Sequence, residues 1–419
     1  MRRLRWASGF AGRGFSIAAA LGAISVLAAS GWAAGETKTA QPCPSGISGM
    51  IAYLDDSAEL VRGAAARALG NLCAVEAVPS LVTHLEDQSP NVQMACIGAL
   101  ASIGDARAVK PLLGKSENGL KSVRCEAILA VGRFRNRSAT PVLTKLLSDY
   151  DNGIRASAVE ALGMIGDSLA TDSVWKLLLD GNRRTRSAAI IAIARLHAPG
   201  AEQTLTRMLD EWDAEYRRAA AIGLGILKDA SAEDRLLLLL KDTYPMVRAA
   251  AVHALGDIGK DTSFEPILRQ SGDWEPEVRV EIASAIPKFQ DREKGARVLL
   301  KYLDDGDPTV RGAAYRSLGS LRLAEYLAKV INGIYEWDEA ARSSAVEALG
   351  DYRAQAAVKP LIIVLKGDGS PAIRCCAARS LGAIGDPSAI PSLREALNDW
   401  DACVGMQALS SLKLLGAKI

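Results

Sequence analysis

Asp368-Gly369-Ser370-Pro371-Ala372-Ile373-Arg374, followed by Leu381-Gly382-Ala383-Ile384-Gly385-Asp386 and then Ile390-Pro391-Ser392-Leu393, is one unit of a pattern that fills most of the chain. The pair Ile373-Arg374 has counterparts at Val61-Arg62, Val123-Arg124, Ile154-Arg155, Val247-Arg248, Val278-Arg279 and Val310-Arg311. With looser matches, the anchor position reads Arg62, Gln93, Arg124, Arg155, Arg186, Arg217, Arg248, Arg279, Arg311, Arg342, Arg374 and Gly405. The step is 31 residues, with two steps of 32, which gives twelve units over residues 47–419. A fixed period of this length is the mark of a repeat array.

Each unit reads as two helices. The first carries apolar residues at helical spacing, as in Ala108, Val109, Leu112 and Leu113, or Ile390, Leu393 and Leu397. The second starts just before the anchor and ends near stretches such as Leu162-Gly163-Met164-Ile165-Gly166, where glycine suits a helix C-terminus. Pro90, Pro245, Pro276, Pro308 and Pro371 stand three residues before an anchor, a good first helical position. One residue earlier come Ser89, Asp151, Asn182, Asp213, Asp307, Asp338, Ser370 and Asp401, all preferred N-cap types. A lone 31-residue hairpin has too little partner surface for its apolar face, whereas stacked hairpins bury it against one another. The expected fold is an all-α superhelix, a solenoid of about twelve two-helix units. Pro287 replaces the glycine of the Leu-Gly stretch in its unit and is expected to bend the rod locally.

The stretches from Leu100 to Leu113 and from Leu381 to Leu393 resemble HEAT repeats of the phycobilisome-lyase class. The resemblance covers nearly all of residues 47–419 and implies an armadillo-like helical solenoid. It says little about function, because such repeats serve scaffolds, adaptors and a few enzymes.

Six residues before each anchor stands Asp56, Asp87, Asn118, Asp149, Asp180, Glu211, Asp242, Asp273, Asp305, Glu336, Asp368 or Asp399. Nine units carry both the acid and the arginine. Stacking turns these into a ladder in which each arginine fork can reach its own acid and a neighbour's. Recurrence in every unit favours a structural ladder over paired catalytic carboxylates, since a catalytic site occurs once.

The residue after the ladder acid alternates. From the fourth unit on, every even unit has an aromatic there: Tyr150, Trp212, Trp274, Trp337 and Trp400. No odd unit does, so the sequence period at this turn is two hairpins. With helix packing distances of 8–10 Å, the rings would stand about 20 Å apart. Two readings apply to the row: rings packed across the neighbouring glycine-containing turn, or a ridge that contacts an extended ligand.

The second helices of such arrays line the concave side. Outward positions there offer Leu129, Arg133, Met164, Arg195, Arg218, Ile222, His253, Glu281 and Lys288, a mixed apolar and charged surface. This suits protein or peptide recognition better than a polyanion. The alternative is an ordinary solvated face.

Residues 1–33 form a separate segment. Arg2, Arg3, Arg5 and Arg13 precede an apolar run from Phe15 to Ala29, and Gly31 and Ala33 fit a small-x-small cleavage site. The segment reads as a secretory signal peptide, followed by a linker over residues 34–46; an uncleaved membrane anchor is the alternative. The expected location is periplasmic or extracellular. Loss of those four arginines takes the 50 basic residues to 46 against 48 acidic ones, which argues against nucleic-acid binding.

Motifs of catalysis are sparse. His84, His197 and His253 lie in different units and none is followed by glutamate. The repeat class also resembles deoxyhypusine hydroxylase, whose iron site uses His-Glu pairs, so that activity and its metal do not transfer. Phosphate loops, nucleophile elbows and zinc spacings are missing from the sequence. The seven cysteines, Cys43, Cys73, Cys96, Cys125, Cys375, Cys376 and Cys403, leave at least one unpaired. Cys43–Cys73 and a bridge from Cys375 or Cys376 to Cys403 are the candidate pairs; the alternative is buried free thiols. The function expected from sequence is a monomeric, non-enzymatic, cofactor-free scaffold or adaptor for proteins or peptides. A binder of an extended cell-envelope polymer comes second and an enzyme third.

Overall fold

The computed structural model describes residues 46–417. Residues 1–33, expected to direct export, and Cys43 lie outside the described residues, as does the expected linker apart from Gly46. Among the described residues there is no strand, and twelve long second helices alternate with twelve shorter first helices. Second helices run from Glu59–Asn71 in unit 1 to Ala402–Leu414 in unit 12, and first helices from Ile47–Ala52 to Ile390–Glu395. One continuous set of buried apolar side chains extends from Met50 to Leu412. No helix among the described residues is long and apolar enough to cross a membrane.

Local chemistry explains the boundaries. Five second helices begin at the expected prolines, at Pro90, Pro245, Pro276, Pro308 and Pro371. Asp151, Asn182, Asp213, Asp307, Asp338 and Asp401 accept hydrogen bonds from the first amides of their helices. Ser89 and Ser370 occupy the same place without capping through their side chains. The aspartate that ends the Leu-Gly-x-Ile-Gly-Asp stretch has its own task. Asp105, Asp167 and Asp386 each accept the amide two residues on, and so cap the 3-10 turn that leads into the next first helix.

The two glycines of that stretch do different things, which the sequence reading merged into one helix end. The second is the cap: Gly104, Gly166, Gly259 and Gly385 have φ between 70° and 81°. The first is helical and lets two backbones meet. A Cβ on Gly70 would stand 2.6 Å from Ala99 Cα, and one on Gly319 would stand 2.8 Å from Ala348 Cα. Between units 5 and 6 the small residue changes sides: Ala194 takes the glycine position, and Gly223 takes the facing alanine position. At Pro287 the second helix stops early, at Ala285, and continues as the 3-10 turn Ile286–Lys288.

Candidate functional site

The ladder is present, and its rungs join neighbouring units. Nine arginines bind the acid of the following unit at 2.6–3.0 Å: Arg62–Asp87, Arg124–Asp149, Arg155–Asp180, Arg217–Asp242, Arg248–Asp273, Arg279–Asp305, Arg311–Glu336, Arg342–Asp368 and Arg374–Asp399. Towards its own unit an arginine meets a backbone carbonyl, as Arg248 Nη1 does at Asp242 O (2.9 Å). The expectation that each arginine reaches its own acid's carboxylate is therefore corrected. The own-unit carboxylate is turned to the preceding arginine and to the amide two residues on, as Asp273 is to Glu275 N–H at 3.0 Å. That second bond explains the preference for aspartate, whose short side chain closes this local turn.

Rung side chains are only 5–18% exposed, so the pairing is made largely out of water. The Arg62 guanidinium holds the Asp87 carboxyl below its ordinary range. Burial pushes the Asp273 carboxyl upward, but Arg248 and the Glu275 amide together outweigh it and leave its pKa lowered. Two of the sequence exceptions prove to be one rung: Gln93 would face Asn118, so both charges are missing together. At Arg186 and Glu211 both charges are present but do not pair among the described residues.

The five aromatic side chains after the ladder acids are the most exposed large apolar groups of their turns: Tyr150 92%, Trp212 85%, Trp274 73%, Trp337 79% and Trp400 74%. They do not bury themselves in the glycine-containing turns. Instead Trp274, Trp337 and Trp400 each lay the ring over the rung guanidinium of the preceding unit, with centroid distances of 5.7, 5.7 and 4.8 Å to Arg248, Arg311 and Arg374. Most acids beside them are already engaged: Asp151 binds Lys121 and Asp213 binds Arg183, at 2.8 and 2.6 Å. Glu211 and Glu275 are the exceptions, with no side-chain partner among the described residues. What the edge presents is mainly aromatic surface, with two free carboxylates.

On the inner face, Arg133, Arg195 and Lys288 are exposed, while Leu129, Met164 and Ile222 are half-buried. Met164 and Ile222 also pack against the core, and Arg218 is tied to Glu215 at 2.7 Å. His253, Glu281 and Lys288 come together in space. His253 Nδ1 lies 3.1 Å from Glu281 Oε2, His253 Nε2 lies 3.2 Å from Asp257 Oδ2, and Lys288 Nζ donates to Asp257 Oδ1 at 2.6 Å. The Glu281 bond raises the His253 pKa, against the opposing effect of burial. A His-Glu pair thus exists across units although the sequence contains no His-Glu dipeptide; the signal was that both occupy outward positions of adjacent second helices. Both imidazole nitrogens are engaged, and an ammonium shares the cluster.

The six described cysteines are free thiols, and of the two candidate partners of Cys403 the nearer is Cys375, whose Sγ lies 3.6 Å from Cys403 Sγ, unbonded. Cys376 instead faces Ser343 and Glu347. Cys96 is buried, which pushes its thiol up to about 12.

The family model for HEAT repeats matches residues 47–118, 115–194, 201–270, 264–336 and 327–413. The chain belongs to the HEAT repeats. Among solved structures, this HEAT-repeat chain is similar to yeast importin-β (Kap95p), with 12% identity and a TM-score of 0.49 over 88% of this chain and 62% of that one. It is similar to the CpcE–CpcF complex of phycocyanin lyase from Nostoc, with 21% identity and a TM-score of 0.37 over 69% and 98% of the two chains. It is also similar to human deoxyhypusine hydroxylase, with 24% identity and a TM-score of 0.28 over 60% and 98%. No curated protein sequence matches the chain.

Proposed function

We propose that this HEAT-repeat chain is a non-catalytic scaffold that binds a protein or peptide along its aromatic edge. The observation that carries the reading is the row Tyr150, Trp212, Trp274, Trp337 and Trp400, each 73% exposed or more and recurring every second unit. Tyrosine and tryptophan are enriched at protein interfaces, where their large rigid rings gain contact area at low entropic cost. Three of the rings are held in place by buried rungs, so an incoming partner meets a pre-set surface. The mixed inner face of Arg133, Arg195, His253 and Lys288 supplies polar contacts beside half-buried Leu129, Met164 and Ile222. On this reading the chain works outside the cytoplasm as a monomer, with residues 1–33 directing export.

The test is affinity capture from a cell-envelope extract with the wild-type chain and with the W274A/W337A variant. The reading expects a protein that is recovered by wild type and at least tenfold less by the variant, with the melting temperature unchanged within about 2 °C. A glycan in place of a protein would transfer the same edge to an envelope polymer. Equal capture by both chains, with a lowered melting temperature in the variant, would make the rings packing elements only.

A further inference from the structure

The rung that fails to form marks a second kind of site. Everywhere else an anchor arginine with a ladder acid ahead of it closes on that acid. Arg186 instead turns back on its own unit, donating through Nε (3.1 Å) and Nη2 (2.8 Å) to Asp180 O. Its Nη1 and the carboxylate of Glu211 have no protein partner among the described residues. Length does not explain this, because the equally long Glu336 reaches Arg311 at 3.0 Å.

The local sequence does explain it. The residue before the anchor is Val61, Val92, Val123, Ile154, Thr185, Val247, Val278, Val310, Ala341, Ile373 or Val404 in eleven units, but Tyr216 in unit 6. The Tyr216 ring lies under the Arg186 guanidinium, 5.2 Å from centroid to Cζ, in the space a small aliphatic leaves to a rung. Trp175 is a second departure: at its place, eleven residues before the anchor, no other unit has an aromatic. Between units 5 and 6 these changes leave a cleft of about 390 Å³, walled by Trp175, Leu178, Ile190, Met208 and Tyr216. The unpaired Arg186 and Glu211 also line it. That volume falls in the small-ligand range of about 300–1,000 Å³, and an apolar wall with a few convergent polar groups is the usual composition of such sites.

We propose that this cleft binds a free α-amino acid with a large apolar side chain. Arg186 offers its guanidinium to a carboxylate, the ligand type that every formed rung gives its arginine. Glu211 takes the ammonium, and the side chain enters the apolar wall. The charges decide the class. A simple anion would meet the uncompensated Glu211, and a simple cation would meet Arg186, whereas a zwitterion satisfies both. The site is independent of the aromatic edge, and its success or failure leaves the scaffold reading untouched.

Isothermal titration of the full chain tests it with three probes: L-phenylalanine, N-acetyl-L-phenylalanine, which lacks the ammonium, and L-phenylalaninamide, which lacks the carboxylate. The expected result is saturable one-to-one binding of phenylalanine, with each derivative at least about tenfold weaker, since a hydrogen bond to a charged group is lost in each. R186Q weakens phenylalanine at least tenfold, and E211Q removes the preference over the N-acetyl form. M208W, which fills the cleft without touching either charge, abolishes binding while circular dichroism confirms the fold. The proposal is overturned if phenylalanine shows no saturable heat. It is equally overturned if the N-acetyl form binds as well, which would mean a peptide C-terminus, or if R186Q and M208W bind like wild type.

Discussion

Arg248–Asp273 is the most enclosed rung, with side chains 8% and 5% exposed, and it gives the sharpest test of the ladder. Arg248 donates to both oxygens of Asp273, at 2.7 and 2.8 Å, and also to Asp242 O and Thr243 O. R248Q leaves Asp273 with the Glu275 amide and no paired cation in a site nearly closed to water. Breaking a buried pair from one side costs about 3–5 kcal/mol; the remaining amide bond and the edge position place this case near 3. Removing the second charge should recover part of that loss. The double variant R248Q/D273N copies the neutral Gln93–Asn118 rung, so it is expected to be about 1–2 kcal/mol more stable than R248Q. Urea unfolding, with hydrogen exchange over residues 276–285, reports the difference at the affected junction. The sign with pH follows from the lowered Asp273 pKa. The rung's stabilisation is complete above the unfolded value of about 3.9 and fades as pH falls through the still lower folded value, a dependence R248Q should flatten. A double variant less stable than R248Q would refute the claim that uncompensated charge dominates the cost.

Three further outcomes follow from the geometry. G319A drives a methyl into Ala348 and is expected to cost about 1–3 kcal/mol in urea unfolding; adding A348G should restore most of it, because the Ala194–Gly223 junction uses that arrangement. Treatment with oxidised glutathione should link Cys375 to Cys403 by thiol–disulfide exchange, a product read by peptide mass spectrometry, lost in C375S and retained in C376S. In an NMR titration His253 should protonate above the ordinary histidine value of about 6.5, and E281Q should bring it down. Its stabilisation is complete below 6.5 and is lost as pH rises through the raised folded value.

The fold was legible because its determinants repeat. Prolines at five first helical positions, side-chain N-caps at six and glycine caps at four mark the same boundaries in different units, so a few misleading residues, such as the non-capping Ser89 and Ser370, do not disturb the reading. The ladder was legible in composition but only by half in connectivity: the pattern lets each arginine reach its own acid and a neighbour's, and only the neighbour's carboxylate is bound. Asp242, six residues from Arg248, offers it a backbone carbonyl, whereas its carboxylate partner, Asp273, is 25 residues ahead. Only stacking brings it near. The same limit hid the cluster of His253, Glu281, Asp257 and Lys288, whose members come from two units. Trp175 and Tyr216 passed unnoticed for the opposite reason: each looks like an ordinary apolar residue until its register is compared across units, and the cleft they frame exists only where two units meet.

Because every formed rung spans a junction, inheritance in this molecule is tied to the junction and not to the hairpin. A duplication or deletion of one unit keeps all helices intact yet brings together residues that never shared a boundary. Excising unit 3, for example, would set Gln93 against Asp149, stranding a carboxylate whose partner had been Arg124. Loss of units 2 and 3 together would instead place Arg62 before Asp149 and close the row cleanly. Length changes in this lineage should therefore leave their scars as matched residue pairs astride unit borders, which makes those pairs the natural markers for reconstructing how the array grew.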